Sequence, residues 1–280
     1  KWAYGYFPHS WVQQIREGGF RPVVFLGHGL LVAFFIMTTA VAAAAYWRSG
    51  TRLLGVSSGI LTGYLAGVLV LCKSLGSLVY GAVLIPLVRF TSQRLQLFAA
   101  LALVTIALAY PLMRAADLFP TTDIVDMARS ISVDRAGSLK FRVENEDRLL
   151  AHAWERFYFG WGRFGRNRVY DEETGRDLSV TDGRWIITMG QFGIVGFLAE
   201  FGLLALAVVR AAGNLRYAAD PNERIALAAL ALIVAVNVVE LLPNASISPW
   251  TWLLAGALLG RAEDLRSQSP FRFRAQGSAL

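Results

Sequence analysis

The sequence predicts an all-α membrane protein whose helices cross the bilayer several times. Of its 280 residues 55% are hydrophobic and 17% are charged, whereas an ordinary soluble domain has about 25% charged residues. It also contains several apolar runs close to the roughly 20 residues that a helix needs to cross a bilayer. We expect helices because backbone N–H and C=O groups in hydrocarbon must be paired within their own segment. This composition excludes a disordered chain and a nucleic-acid-binding domain with a basic shell, and one cysteine, Cys72, excludes a disulfide scaffold.

We predict about seven spans, which is the number of apolar runs of suitable length. They cover residues 23–46, 53–72, 75–88, 96–113, 186–209, 225–242 and 250–260. We therefore divide the chain into an N-terminal external segment with four spans (1–113), a large loop (114–185), C-terminal spans (186–260) and a polar tail (261–280). Because the chain opens at Lys1 without the features of a signal peptide, we interpret it as a piece of a longer protein.

The positions of basic residues predict the orientation in the membrane. If seven spans alternate, eleven arginines fall in the short loops and tail of one side, whereas the short loops of the other side contain Lys73 alone. Short loops rich in Lys and Arg face the cytoplasm. The loop 114–185 is therefore expected outside, and the basic tail is expected to be cytoplasmic and largely disordered.

A connection of roughly 70 residues between two spans is usually functional, and 114–185 is of that length. Residues 137–157 have the pattern of an amphipathic helix, with Leu139, Val143, Leu150, Trp154 and Phe157 on one stripe. A helix that lies on the bilayer or on the spans explains this pattern equally well.

After this helix, a glycine-rich stretch contains four arginines and no acidic residue between Arg156 and Arg168. Glycine lets the backbone approach a ligand closely, and the planar guanidinium group suits phosphate oxygens. Outside the membrane, such a cluster meets lipid head groups or phosphorylated lipid carriers, so we expect no nucleic acid. The alternative is a solvated turn with salt bridges to the acids that follow it, Asp171, Glu172, Glu173 and Asp177.

Asp182 and Arg184 precede the fifth predicted span. A carboxylate beside arginines can accept a proton from a sugar hydroxyl, but Asp is also a preferred residue for capping a helix N-terminus. Both roles remain open from the residues alone.

The order of these features resembles the O-antigen ligase and polymerase superfamily. The matching segments are Ser138-Leu139-Lys140-Phe141-Arg142, Trp154, Gly160-Trp161-Gly162-Arg163-Phe164-Gly165, Asp182-Gly183 and Gln191-Phe192-Gly193-Ile194-Val195-Gly196. Gly18-Gly19-Phe20-Arg21-Pro22 and Cys72-Lys73-Ser74-Leu75-Gly76 resemble further family segments. Ligases of this family usually have His-Asn at the position where this chain has Asp182-Gly183. This difference favours a polymerase.

The resemblance implies a metal-independent glycosyltransferase of GT-C-like architecture in the bacterial inner membrane, without a cofactor. It would polymerise or transfer an undecaprenyl-diphosphate-linked oligosaccharide at the periplasmic face, with a chain-length regulator protein as a further partner. By position, Arg21 and Arg142 would bind the diphosphate or shape the site. The residues themselves add Arg163, Arg166, Arg168 and Arg184 as cations for the leaving diphosphate.

Asp182 is the first candidate for the base, followed by Glu146 and His152. Ionisable residues inside membrane spans are functional candidates by default, which adds His28 and Glu200, and Glu240 lies towards the outer end of the sixth predicted span. Two other classes stay open. A transporter or flippase for a lipid-linked saccharide would need a polar path at mid-membrane, and a non-catalytic scaffold would tolerate Arg-to-Lys changes in the loop.

Overall fold

The computed structural model describes residues 15–16, 19–131, 133–245 and 247–268. This part of the chain is mostly helical, and two short antiparallel hairpins complete it. The helices are α1 (Gly29–Arg48), α2 (Ser58–Leu71), α3 (Leu75–Phe90), α4 (Gln93–Ala115), α5 (Thr121–Ile131), α6 (Val133–Trp154), α7 (Arg184–Asn214), α8 (Pro221–Glu240) and α9 (Pro249–Ser267). The strands are β1 (Ile15–Arg16), β2 (Gly19–Phe20), β3 (Arg52–Leu53) and β4 (Val56–Ser57).

Four described helices are long and apolar enough to cross a membrane: α1, α4, α7 (extended to Tyr217) and α8. The prediction of a helical membrane protein is confirmed at this level. The two apolar helices α2 and α3 are shorter, with 14 and 16 residues, and rise about 21 and 24 Å.

Two predicted boundaries are wrong, and one helix was not predicted. The second predicted span begins with the β3–β4 hairpin, in which Arg52 pairs with Ser57, so its helix starts only at Ser58. Before the predicted amphipathic helix lies a separate helix, α5, and the two pack together. The helix α9 continues to Ser267, so the first residues of the predicted disordered tail are helical.

The chain forms two compact units. The first comprises Lys1–Ala100, Val208–Ile233 and Gly256–Leu280. In it α1 packs against both α2 and α3, and five of the eleven buried residues of α1 are alanine. Buried Gln96 donates hydrogen bonds to the carbonyl oxygens of Leu87, Val88 and Thr91 at 3.1–3.2 Å. Arg48 also donates to the Val88 and Thr91 carbonyl oxygens, so two side chains together bind carbonyl groups at the C-terminus of α3.

The second unit comprises Leu101–Ala207 and Val234–Ala255 and contains the loop helices. The buried face of α6 runs through Asn145, Leu149, Leu150 and Ala153. The predicted stripe was therefore wrong at Trp154, which is exposed and stacks on the Phe157 ring at 4.5 Å between centroids. Ring stacking at the surface takes the place of burial for this side chain.

Candidate functional site

A cavity of about 270 Å³ lies within the second unit. Five of the residues that line it are polar or charged, namely Tyr110, Thr121, Arg142, Glu146 and Asp182. The rest of its wall is apolar and consists of Phe119, Ile124, Leu139, Val143, Val239, Leu242 and Pro243. An apolar cavity with a few convergent polar groups is the usual form of a small-molecule or substrate site.

The charged side of the cavity is an ion pair between Arg142 and Asp182. Nε of Arg142 lies 3.5 Å from an Asp182 carboxylate oxygen, and about a third of each side chain is exposed. Arg142 also donates from Nη1 to the Pro243 carbonyl oxygen at 3.3 Å. The helix α6 therefore presents a guanidinium group that is oriented from two sides and still accessible.

Asp182 stands two residues before α7, and its carboxylate is turned towards Arg142. The first backbone N–H of α7, on Arg184, donates to the carbonyl oxygens of Leu241 at 2.9 Å and Asn244 at 3.2 Å. Gly183 is buried, and a Cβ there would overlap the Leu242 carbonyl oxygen. The close approach of two backbone segments thus requires the glycine that follows Asp182.

Glu146 lies one helical turn after Arg142 on α6 and is mostly buried, with 12% of its side chain exposed. Its carboxylate accepts hydrogen bonds from the Tyr110 hydroxyl at 3.0 Å and from the Trp185 indole N–H at 3.3 Å. Burial raises the pKa of Glu146, although both hydrogen bonds and the Arg114 charge act to lower that pKa. Glu146 therefore has a stronger tendency to carry a proton than an exposed glutamate.

Arg114, at the end of α4, is a charged residue of this region that sequence reasoning missed. Its side chain is 2% exposed; Nη2 lies 2.7 Å from Asp147 and Nε lies 3.7 Å from Glu146. The adjacent acids of α6 therefore share one buried guanidinium group. A signal existed in the sequence, because a single arginine ends an apolar span shortly before a helix rich in acids, but no spacing rule connects the two.

The helix α7 is broken at Gly193, whose φ of 65° and ψ of −164° are not helical. Arg184 pairs with Glu200 at 2.8–2.9 Å, and the Thr188 hydroxyl donates to the same carboxylate at 2.6 Å. In a straight helix residues 16 and 12 positions apart would be about 24 and 18 Å apart. The segments 184–192 and 194–214 are therefore sharply bent towards each other, and Arg184 neutralises an acid in an apolar helix.

The glycine-rich turn after α6 docks on this break. Trp161 and Gly162 donate backbone hydrogen bonds to the carbonyl oxygens of Gly190 and Gln191, both at 2.8 Å. In return, the N–H groups beyond Gly193 bond to the turn: Ile194 to Phe157 at 2.8 Å and Val195 to Tyr158 at 3.3 Å. The two glycine motifs that the sequence placed 30 residues apart thus satisfy each other's backbone groups.

The other described loop arginines that were predicted to bind the diphosphate, Arg163, Arg166 and Arg168, do not line the cavity. Arg163 lies over the Phe192 ring, with 5.7 Å between guanidinium carbon and centroid, and Arg166 donates to the Arg163 carbonyl oxygen at 3.3 Å. Arg168 forms a salt bridge with Asp177 at 2.5 Å, as the alternative interpretation of this stretch predicts. Hydrogen bonds from the Ser179 backbone and from Arg168 outweigh the effect of burial and lower the pKa of Asp177.

His152 and Glu240 belong to the second unit but not to the cavity wall. The His152 ring stacks on Trp161 at 4.4 Å between centroids, and its Nε2 lies 3.2 Å from the Arg166 carbonyl oxygen. Glu240 accepts a hydrogen bond from Asn244 at 2.7 Å. The His152 contacts tie the end of α6 to the turn that follows it.

Arg21 and His28 belong to the first unit. Arg21 donates from Nε to the Lys73 carbonyl oxygen at 3.1 Å, which ties the segment before α1 to the turn between α2 and α3. His28 is the N-cap of α1, where its Nδ1 accepts a hydrogen bond from the Leu30 N–H at 3.1 Å. A structural role in starting a helix accounts for this histidine.

No protein-family model, curated protein or solved structure matches this chain. The proposed function therefore rests on the geometry of the cavity.

Proposed function

We propose that this protein is a membrane glycosyltransferase that uses a lipid-diphosphate-linked oligosaccharide as its donor. One observation carries the proposal: Arg142, Glu146 and Asp182, the three residues selected as catalytic from the sequence, line the same mostly apolar cavity. A cation, a carboxylate and an apolar wall together suit a substrate that has an anionic diphosphate, a sugar hydroxyl and a hydrocarbon chain.

In the proposed reaction, the hydroxyl oxygen of the acceptor sugar attacks the anomeric carbon of the donor. The bond between that carbon and the diphosphate oxygen breaks, and the electron pair leaves with the diphosphate. Arg142 stabilises the negative charge that develops on the leaving group, because fixed cations placed where charge develops supply much of catalysis. Asp182, 3.5 Å from Arg142, accepts the proton of the attacking hydroxyl.

Glu146 has a different part in this proposal. Its carboxylate is bound by Tyr110 and Trp185 and faces the cavity beside Arg142. A buried carboxyl group with a raised pKa can act as a neutral hydrogen-bond donor to a substrate oxygen. Glu146 would then orient the sugar, while Asp182 takes the proton.

The wider topology belongs to the same proposal. We place about seven spans, counting α2, α3 and α9 with the four longer helices, in a GT-C-like arrangement in a bacterial inner membrane. The loop 114–185 then faces the periplasm, where undecaprenyl-diphosphate-linked glycans are polymerised. We favour a polymerase over a ligase because Asp182-Gly183 stands where ligases of the resembled family have His-Asn.

Incubation of the purified full-length protein with a polyprenyl-diphosphate-linked repeat unit tests the proposal. Wild-type protein should lengthen the glycan and release polyprenyl diphosphate, and Arg142→Ala and Asp182→Asn should each lower the rate by at least about 100-fold. The matched control is Arg168→Gln, which removes a loop arginine that pairs with Asp177 outside the cavity. Equal rates in all four proteins would refute the assignment of the site.

A second candidate is a transporter or flippase, and the break in α7 favours it. Discontinuous membrane helices often surround transport sites, and the break here adjoins the ion pair between Arg184 and Glu200. Proteoliposomes distinguish the two functions. Movement of a labelled lipid-linked saccharide between leaflets without release of polyprenyl diphosphate would support transport, whereas chain growth with that release supports the transferase.

A further inference from the structure

The turn after α6 exposes large aromatic and basic side chains together. Tyr158, Phe159 and Phe164 are 68%, 76% and 96% exposed, and the guanidinium groups of Arg163 and Arg166 are exposed among them. We name these five residues the aromatic turn. Neither arginine forms an ion pair with a residue that the structure describes. Exposure of three large rings to water is unfavourable, since full burial of an aromatic side chain is worth roughly 1.5–3 kcal/mol.

The position of the aromatic turn along α7 is fixed by backbone hydrogen bonds. Phe157 and Tyr158 accept from Ile194 and Val195, the first residues of α7 after its break. From Ile194 the helix runs through apolar residues, with Glu200 as the one charge, until Arg210. These sixteen residues rise about 24 Å, close to the roughly 30 Å of a bilayer's hydrocarbon core. A helical segment of this length that crosses the bilayer places its Ile194 end, and the turn bonded to it, at a membrane surface.

The aromatic turn also continues an apolar face of α7. Val195, Leu198, Leu203 and Leu206 are exposed on that helix, and at about 3.6 residues per turn they lie on one broad side of it. Tyr158 is bonded to Val195, at the end of this face. The exposed aliphatic side chains suit lipid tails, and the rings and guanidinium groups suit the head-group region above them.

We propose that the aromatic turn is an interfacial anchor, which binds the phospholipid head groups of the leaflet that surrounds this end of α7. The rings of Tyr158, Phe159 and Phe164 lie at the boundary between head groups and acyl chains. Arg163 and Arg166 bind lipid phosphates, which match guanidinium groups in charge and geometry. The anchor gives these two arginines a partner apart from the substrate cavity, and it stands whether the protein is a transferase or a transporter.

Spin-label accessibility in nanodiscs of the full chain tests this anchor. A nitroxide is attached to Phe164→Cys in a Cys72→Ser background, and collisions with oxygen, which concentrates in lipid, are compared with collisions with a water-soluble nickel chelate. Leu203→Cys on the apolar face of α7 serves as the lipid reference, and Glu173→Cys, exposed in the same loop, serves as the water reference. We expect the oxygen-to-nickel ratio at 164 to exceed that at 173 at least fivefold.

A second label and a charge variant complete the test. Phe159→Cys should behave like Phe164→Cys, which guards against misfolding of either variant. In nanodiscs that contain phosphatidylglycerol, the double variant Arg163→Gln with Arg166→Gln should shift the ratio at 164 towards the water reference. A ratio at both positions equal to that at 173 would overturn the proposal.

Two other outcomes would also overturn it. Protection from nickel that occurs only after addition of a soluble oligosaccharide would make the aromatic turn a sugar platform. Dipolar broadening that disappears on dilution with unlabelled protein would make it a contact between two copies of the chain.

Discussion

Replacement of Gly193 by alanine should weaken the attachment of the glycine-rich turn to α7 and destabilise the protein. The Gly193 backbone lies at φ 65° and ψ −164°, a region that is almost restricted to glycine and costs other residues about 1–3 kcal/mol. A Cβ at this position would overlap the backbone carbonyl group of Tyr158 and lie 2.5 Å from the Phe157 carbonyl oxygen. Backbone atoms cannot move aside as a flexible side chain can, so the strain of overpacking adds about 1–3 kcal/mol.

The overlap also breaks hydrogen bonds. The bonds from Ile194 to Phe157 at 2.8 Å and from Val195 to Tyr158 at 3.3 Å each contribute about 1 kcal/mol. Together with strain and overlap, the loss in the free energy of unfolding is roughly 4–8 kcal/mol. At about 2 °C or more per kcal/mol, the melting temperature of the detergent-solubilised protein should fall by at least about 8 °C.

Gly202 provides the matched control on the same helix. A Cβ there meets no atom within 4 Å, and alanine is the better helix former by up to about 1 kcal/mol, so Gly202→Ala should hold or raise the melting temperature. Both variants are measured by tryptophan fluorescence during heating and by recovery from size-exclusion chromatography. If Gly193→Ala melts together with Gly202→Ala, the turn is not held by the break in α7, and the placement of the aromatic turn fails with it.

Three further predictions concern the second unit. Burial raises the pKa of Glu146, so the unfolded chain loses this proton at lower pH than the folded protein, and stability should fall as pH rises above the ordinary value of 4.5. In the variant Glu146→Gln, the curve of melting temperature against pH should be flatter in this range. An unchanged slope would contradict the prediction. Gly183→Ala places a Cβ on the Leu242 carbonyl oxygen and should lower stability by about 1–3 kcal/mol in a thermal melt; wild-type melting would contradict the packing. Arg168→Gln removes an exposed pair with Asp177 and should change stability by less than about 1 kcal/mol, and a larger loss would show a buried role.

The membrane helices could be predicted from the sequence because long apolar runs leave few alternatives. The predicted ends of these helices were less accurate where local hydrogen bonds determine where a helix begins. The residues before α2 are apolar enough for a span, but Leu54 and Gly55 adopt positive φ values in the two-residue turn that folds the chain into the β3–β4 hairpin. The separate helix α5 contains several charged residues and no apolar run, so hydropathy does not predict it.

Part of the candidate site could also be predicted from the sequence. Arg142 and Glu146 are four residues apart, which places them on one face of a helix. Their proximity to Asp182 depends on how the loop returns to α7, and the resemblance suggested this while local spacing did not. The role of Arg114 depends on a contact across more than 30 residues, for which the sequence contains no periodic signal.

The break in α7 explains why the second glycine motif has a glycine at position 193. A glycine in an apolar helix usually marks close helix contact, but Gly193 ends one helical segment and exposes its backbone groups. Those groups would be very unfavourable in hydrocarbon without partners, and Trp161 and Gly162 supply the partners from the loop. Segment 184–192 begins two residues after Asp182. Its first N–H, on Arg184, donates to Leu241 and Asn244, and its Gly190 and Gln191 carbonyl oxygens accept from the loop. The hydrogen bonds that satisfy the break therefore also hold the far end of the segment whose start places the Asp182 carboxylate beside Arg142.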